Sequence, residues 1–405
     1  MKSLCLFLVA TLLVLFFFNA PQLMFRDLGY NTAVQLAHSF LDGRIDVDPP
    51  EKEEPLDLIH HEGRYYVPFP PAPALFLTPL VAVFGLDFNP LWITPLLGML
   101  TAGVLFHLYR RLTGHDEISY LLSAAMIFGT AYWLCVRYAF DTYLAHMLTV
   151  LFVSVALWET LGKQRGWLIG LCLGIACACR QLTVFVIPFV MVFLWFLPHT
   201  PTPWWERIKP VSTALCVLGF IFFALLWYNW ARFGSPFETG YGWVIEDEWY
   251  AYRLERWGNF SWRYIPSTFL RMFVMGFSID FLPPSYLSPV MSPWGTSLTF
   301  ASPFVFYAFW GRLPAPRIVN AAAWVCVGLI LLAVLMHKSA GGGWQINGMR
   351  YALDFLPLLS LLVATGMQRF DDAVGARIRR AVVAYAILLN VVAIVITHTG
   401  LFFPS

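Results

Sequence analysis

The sequence predicts an all-α polytopic membrane protein, and three observations carry that prediction. Of 405 residues 59% are hydrophobic and only 12% charged, against roughly 25% charged in an ordinary soluble domain. Apolar runs recur along the whole chain rather than gathering in one anchor. Positive residues fall in alternate breaks between those runs. A soluble fold has nowhere to hide 36 Phe and 17 Trp, whereas a membrane protein displays them to lipid. The net charge of +2 is too small for a nucleic acid partner. The seven cysteines lie mostly in apolar runs, Cys172, Cys177 and Cys179 together in one. They show no metal-ligand spacing and no disulfide framework.

The first run follows Lys2 and resembles a signal peptide. Everything downstream is also membrane-embedded, so an uncleaved first span is expected. Cutting at polar breaks gives about eleven spans, near 4–24, 91–109, 118–136, 143–160, 166–180, 183–197, 211–230, 296–310, 319–336, 353–367 and 381–397. With the N-terminus cytoplasmic, the inside loops carry Arg110 and Arg111, Lys163 and Arg165, Arg207 and Lys209, and Arg312 and Arg317. The last of them carries Arg369, Arg377, Arg379 and Arg380. Each short inside loop thus holds at least two positive residues. The whole of 1–405 is expected to form one transmembrane domain. Its two long stretches, 25–90 and 231–295, become structured extracytoplasmic loops, with short contributions near 137–142 and 337–352.

The first loop has the period of a helix over 30–41, with Val34, Ala37 and Leu41 on one face lying at the interface. Asp42-Gly43 ends it. Gly63-Arg64-Tyr65-Tyr66-Val67 reads as extended, and four prolines between 68 and 73 form a stiff turn before a short apolar helix at 74–85. The second loop opens Tyr228-Asn229-Trp230-Ala231-Arg232-Phe233-Gly234-Ser235-Pro236 and stays aromatic and charged to Tyr264. Those aromatics suit interface anchors, a groove for a large amphiphile or sugar stacking equally well. Asn259-Phe260-Ser261 fits a glycosylation sequon.

Ionisable residues at span ends are costly in lipid and tend to mark function. On the expected outer side these are Asp27, Arg137, Asp141, Arg180, Arg350 and Asp354, with His146 about one turn below Asp141. Each has a structural explanation. Arg137 with Asp141 and Arg350 with Asp354 are spaced to pair within a helix. Arg180 has the length to snorkel, and Asp27 suits an N-cap. Together they also suit transfer from a phosphate-linked lipid. Arginines would hold the phosphate through bidentate charged hydrogen bonds, and a loop carboxylate, Asp27 or Asp57, would act as general base.

At these residues the chain resembles the GT-C superfamily of membrane glycosyltransferases. It is similar to bacterial relatives of protein O-mannosyltransferases and of the lipid A aminoarabinose transferase. The resemblance is carried by Arg26-Asp27-Leu28-Gly29-Tyr30, Phe40-Leu41-Asp42-Gly43-Arg44, and the stretch from Gly63 to Pro71. Further on it is carried by Gly174 to Arg180 with Pro188, Tyr228 to Pro236, and Gly348 to Pro357. It implies a polyprenyl-phosphate-sugar donor, an outward-facing site in a bacterial inner membrane, and an inverting transfer. Asp27, Asp57 and Asp141 are then the catalytic candidates. Arg137, Arg180 and Arg350 would bind the donor phosphate, and Tyr66, His146 and Arg232 are candidate acceptor or sugar contacts. Many relatives carry an acidic pair in the first loop, whereas Leu28 follows Asp27 here, so a divalent metal is left open and no other cofactor is implied. The acceptor, whether protein, lipid or polysaccharide, is likewise open. A transporter or flippase of a lipid-linked sugar and a non-catalytic assembly subunit are the competing readings. Against the transporter stand the absence of an evident internal repeat and the gathering of charge at one surface.

Overall fold

The computed structural model describes residues 2–25, 29–51, 55–197, 203–246, 248–276, 278–280, 288–290, 296–339 and 349–399. Asp27 lies outside them, and Asp141 is described by its backbone alone. The chain is mostly helical. Among the described residues six helices are long and apolar enough to cross a membrane: Lys2–Met24, Pro90–Thr113, Thr142–Thr160, Trp205–Phe233, Arg317–Met336 and Ala373–Val395. A seventh results if α5 (Asp116–Phe128) and α6 (Tyr132–Tyr138), bent by 48°, form one span. The expected spans at 166–180, 183–197 and 353–367 correspond to short apolar helices. The segment expected to span at 296–310 is instead a single helical turn, Leu298–Ala301, followed by a 3-10 helix, Pro303–Trp310. Pro303 at the first turn removes a backbone donor there.

The helices in chain order are α1 (Lys2–Phe25), α2 (Thr32–Leu41), α3 (Ala72–Phe84), α4 (Thr94–Thr113), α5, α6, α7 (Asp141–Thr160), α8 (Gly166–Cys179), α9 (Ile187–Phe196) and α10 (Trp204–Phe233). They continue as α11 (Glu248–Trp257), α12 (Ile265–Phe273), α13 (Leu298–Ala301), α14 (Arg317–Met336), α15 (Leu356–Gln368) and α16 (Ala373–Thr399). Outer faces of α1, α10, α14 and α16 leave Phe17, Phe220, Val325 and Leu388 exposed. In a bilayer lipid covers them, and every backbone group stays paired inside its helix. By contrast α15 is buried almost throughout.

Helix α8 packs on α10 through three glycines spaced four apart. A Cβ on Gly166 would lie 2.2 Å from the Pro210 carbonyl oxygen, on Gly170 2.5 Å from that of Ala214, and on Gly174 2.2 Å from Ile221 Cδ1. Small residues at this spacing let helix backbones approach closely where no hydrophobic driving force separates helix from lipid. That contact fixes the end of α8, and Arg180 is its C-cap.

The described residues between α1 and α4 carry local structure that differs from expectation at two points. Helix α2 is capped by Asn31, whose side chain accepts from the amides of Ala33 and Val34. Val34 and Ala37 are buried, but Leu41 is exposed, because it is the last helical residue and points past the packed face. The extended piece is one strand of a hairpin, β1 (Ile59–His61) with β2 (Arg64–Tyr66). Its turn residues Glu62 and Gly63 both have positive φ, the geometry that matches the strand twist. The second loop contains α11 and α12, and also two short paired strands, β3 (Ser278–Asp280) and β4 (Ser288–Val290).

The loops are tied to one another. The Asp57 amide donates to the Ile245 carbonyl at 2.9 Å, and the Ile245 amide to the Leu58 carbonyl at 2.8 Å. Arg232 Nη1 donates to the Val67 carbonyl at 2.8 Å. Further along, Ser261 donates to Met336 at 2.9 Å and Lys338 to Asn259 at 3.0 Å. Buried Lys338 Nζ also lies 2.6 Å from both carboxylate oxygens of Glu246. Residues far apart in sequence are thereby held over the ends of α7 and α8.

Candidate functional site

The site forms where α8 stops. Helical hydrogen bonding breaks after Cys179, Arg180 adopts an extended backbone, and a 3-10 helix, Gln181–Val186, leads into α9. A broken segment is tolerated at membrane depth only where it is buried in protein or lines a cavity, and Arg180 does line one. The cavity measures about 250 Å³. Its wall takes Phe69 from the first loop, Thr142 from α7, Tyr241 and Asn259 from the second loop, and His337 and Tyr351 from the last.

Arg180 is oriented by a fully buried carboxylate. Nε and Nη2 donate to Asp354 Oδ1 and Oδ2 at 3.1 and 2.7 Å, a fork-to-fork pair that fixes the guanidinium plane as well as its position. Asp354 closes a 3-10 helix, Arg350–Asp354, at the entrance to α15. His146, fully buried on α7, puts Nδ1 3.3 Å from Asp354 Oδ1. That separation is within ion-pair range, but the ring is not aligned as a hydrogen bond. Tyr351 supplies the floor. The Arg180 guanidinium sits 4.5 Å from its ring centroid, and that of Arg350 lies 5.6 Å from it and 4.5 Å from Tyr143. Two guanidinium groups thus flank one aromatic ring, and Asp354 is paired with the first of them.

Of the span-end charges singled out in the sequence, the structure brings together Arg180, Arg350, Asp354 and His146. The pairing expected between Arg350 and Asp354 is replaced by one between Asp354 and Arg180, 174 positions earlier. Arg137 and Asp141, the other pair spaced to meet, do not share a helix: Ala139, in the left-handed region, separates α6 from α7. Arg137 is buried and its Nη1 lies 3.4 Å from the Ile394 carbonyl. Asp57 is exposed at a positive-φ position beside the hairpin. Tyr66 packs against Phe233, and Arg232 is buried between Val67 and Asn229, stacked on Tyr228. These last two join the loops and are not among the cavity-lining residues. Sequence reading did not single out Tyr351, His337 or Tyr241, and it noted Asn259 only as the head of a glycosylation sequon. They are ordinary polar and aromatic residues whose only signal as cavity residues was position in long outer loops. Among the described residues no three His, Cys, Asp or Glu side chains come together.

Solved structures share this helical arrangement. The fold is similar to ArnT, an aminoarabinose transferase from Cupriavidus metallidurans solved bound to undecaprenyl phosphate. The TM-score is 0.52 at 15% identity, over 91% of this chain and 60% of that one. It is also similar to the archaeal oligosaccharyltransferase AglB from Archaeoglobus fulgidus, solved with an inhibitory peptide and a dolichol-phosphate. There the TM-score is 0.56 at 8% identity, over 100% of this chain and 56% of that one. Both are GT-C superfamily membrane glycosyltransferases, so the fold here is the GT-C fold. The chain spans less than two thirds of either neighbour's length. No protein-family model and no curated protein matches it by sequence.

Proposed function

We propose that this protein is an inverting glycosyltransferase that moves a sugar from a polyprenyl-phosphate donor to an acceptor on the extracytoplasmic face of the membrane. The observation that carries the reading is Arg180, held by buried Asp354 in the wall of a cavity at a helix break. The GT-C fold, shared with neighbours solved with polyprenyl phosphates, supports it. The N-terminus is cytoplasmic in this reading, the loops 25–90 and 231–295 face outward, and a bacterial inner membrane houses the chain.

In the chemical step an acceptor hydroxyl oxygen attacks the anomeric carbon from the side opposite the phosphate. The bond from that carbon to the phosphate oxygen breaks, and its electron pair leaves with the polyprenyl phosphate. The hydroxyl proton passes to a carboxylate, for which Asp27 is the first candidate and Asp141 and Asp57 the alternatives. Arg180, assisted by Arg350, stabilises the charge growing on the phosphate. Arg137, further from the cavity wall, contributes through the local field. The apolar helices accommodate the prenyl chain.

Transfer from a panel of radiolabelled polyprenyl-phosphate sugars tests this, comparing wild type with D27N and R180A. Wild-type transfer, lost in D27N with donor binding kept, is the expected result. R180A should lose on the order of 10²–10³ in rate, as when one transition-state donor is removed. The break between α8 and α9 also suits a flippase of lipid-linked sugar. Donor binding without transfer, together with scrambling in reconstituted vesicles, would replace the transferase with that reading.

A further inference from the structure

The sequon asparagine is turned inward. Its backbone carbonyl accepts from Lys338, and the neighbouring Ser261 amide donates to Met336. Ser261 Oγ is also engaged, accepting from the Arg263 amide at 3.3 Å to cap a short 3-10 turn. Asn259 lines the cavity, and its Oδ1 is buried with no hydrogen-bond partner among the described residues. An unsatisfied buried acceptor is rare in a native structure and calls for a partner that arrives with a ligand.

His337 faces the same cavity from across the backbone bridge to Phe260. The Ser339 amide donates to its Nδ1 at 3.3 Å, and the Ser339 hydroxyl is hydrogen-bonded to the same nitrogen. Nε2 makes no hydrogen bond to a described residue. Burial, with the positive charges of Arg180 and Lys338, holds the imidazole neutral, down to about 3. Beyond it the hydroxyls of Ser339 and Tyr351 lie 3.3 Å apart. One wall of the cavity therefore offers an amide, a neutral imidazole and a phenol. Such groups recognise hydroxyls, while a carboxylate or an amine calls for a charged partner. The volume of about 250 Å³ falls below the roughly 300–1,000 Å³ of pockets for drug-sized ligands, which leaves room for one sugar ring rather than a chain of them.

We infer that Asn259 and His337 are the specificity-determining contacts for a single uncharged monosaccharide, the one carried on the donor phosphate at Arg180. This rests on the transferase reading above and names its donor class.

The test measures binding to purified protein, wild type and N259A, with H337Q as a second variant. The probes are decaprenyl phosphate alone, decaprenyl phosphate carrying glucose, mannose, glucuronate or 4-amino-4-deoxyarabinose, and methyl glucoside and methyl mannoside. Wild type should bind at least one neutral-sugar donor more tightly than bare decaprenyl phosphate, and neither charged-sugar donor so tightly. N259A should lose about tenfold, the scale of one hydrogen bond to a neutral group, for that donor only, with bare decaprenyl phosphate within twofold of wild type. H337Q should behave similarly. Unchanged donor preference in both variants, with bare phosphate still bound, overturns the assignment and leaves the transferase reading standing. Preference for a charged-sugar donor overturns it too. Loss of methyl glycoside binding with donor binding intact would assign the pocket to an acceptor sugar and also refute it. Failure of wild type to bind any polyprenyl phosphate removes the transferase reading itself, and the inference with it.

Discussion

Replacing Asp354 with asparagine isolates the interaction on which the site depends. The carboxylate is fully buried and makes two charged hydrogen bonds to Arg180, whose own side chain is 16% exposed. Asparagine keeps the shape and one acceptor but leaves the guanidinium without its counter-charge. Removing one partner of a buried pair costs about 3–5 kcal/mol, because the remaining charge is stranded. At roughly 2 °C per kcal/mol, the low end for large domains, the thermal midpoint of the detergent-solubilised protein should fall by about 6–10 °C. The double variant Arg180→Met with Asp354→Leu removes both charges and should recover most of that loss, while losing transfer activity entirely. The assay is a double-mutant cycle on thermal midpoints, with donor transfer measured in parallel. A midpoint for D354N within 2 °C of wild type, or a double variant no more stable than D354N, would refute the claim that the pair is a coupled, desolvated unit.

Three further outcomes follow from the packing and charge of named residues. Gly170→Leu places side-chain atoms where the Ala214 backbone already sits, so α8 must move off α10. Overpacking of this kind costs about 1–3 kcal/mol or more, seen as a lower thermal midpoint and weaker donor binding through displaced Arg180. Glu246→Gln strands buried Lys338 and frees the second loop, so limited proteolysis within 241–261 should accelerate, and unchanged cleavage would argue against the latch. His337 is held neutral to about 3, below the ordinary imidazole value near 6.5. The unfolded chain therefore takes up the proton first as pH falls. The stability this residue contributes is complete above about pH 6.5 and is lost progressively towards pH 3. The thermal midpoint of wild type should drop more steeply than that of H337Q between those values, and parallel curves would contradict the burial of a neutral imidazole.

Much of the architecture was legible in the sequence because the bilayer imposes a simple rule. Long apolar segments must be helices, and α1, α4, α7, α10, α14 and α16 were found where hydropathy put them. The 30–41 helix and its Asp42-Gly43 stop were legible from local periodicity and turn chemistry. Short segments were less legible: hydropathy does not distinguish a 3-10 helix such as Pro303–Trp310 from part of a span. The site was legible in part. Charges at span ends drew attention to Arg180 and Arg350, since ionisable groups are rare at that depth.

Composition and local period by themselves determined that this is a mostly helical protein with several apolar helices long enough to cross a membrane. Tertiary structure alone decided which of the span-end charges meet. Asp354 has a near neighbour in sequence, Arg350, yet it pairs with Arg180 because the α8 glycines draw that helix against α10 and stop it beside α15's entrance. Likewise nothing local in His337, or in Asn259 beyond its sequon, marks them as cavity residues. They face a cavity because backbone pairing between 259–261 and 336–338 closes one loop over another. Helices in lipid form from local sequence, since each satisfies its own backbone, whereas a site is made of contacts between distant segments, which only the packed chain brings together.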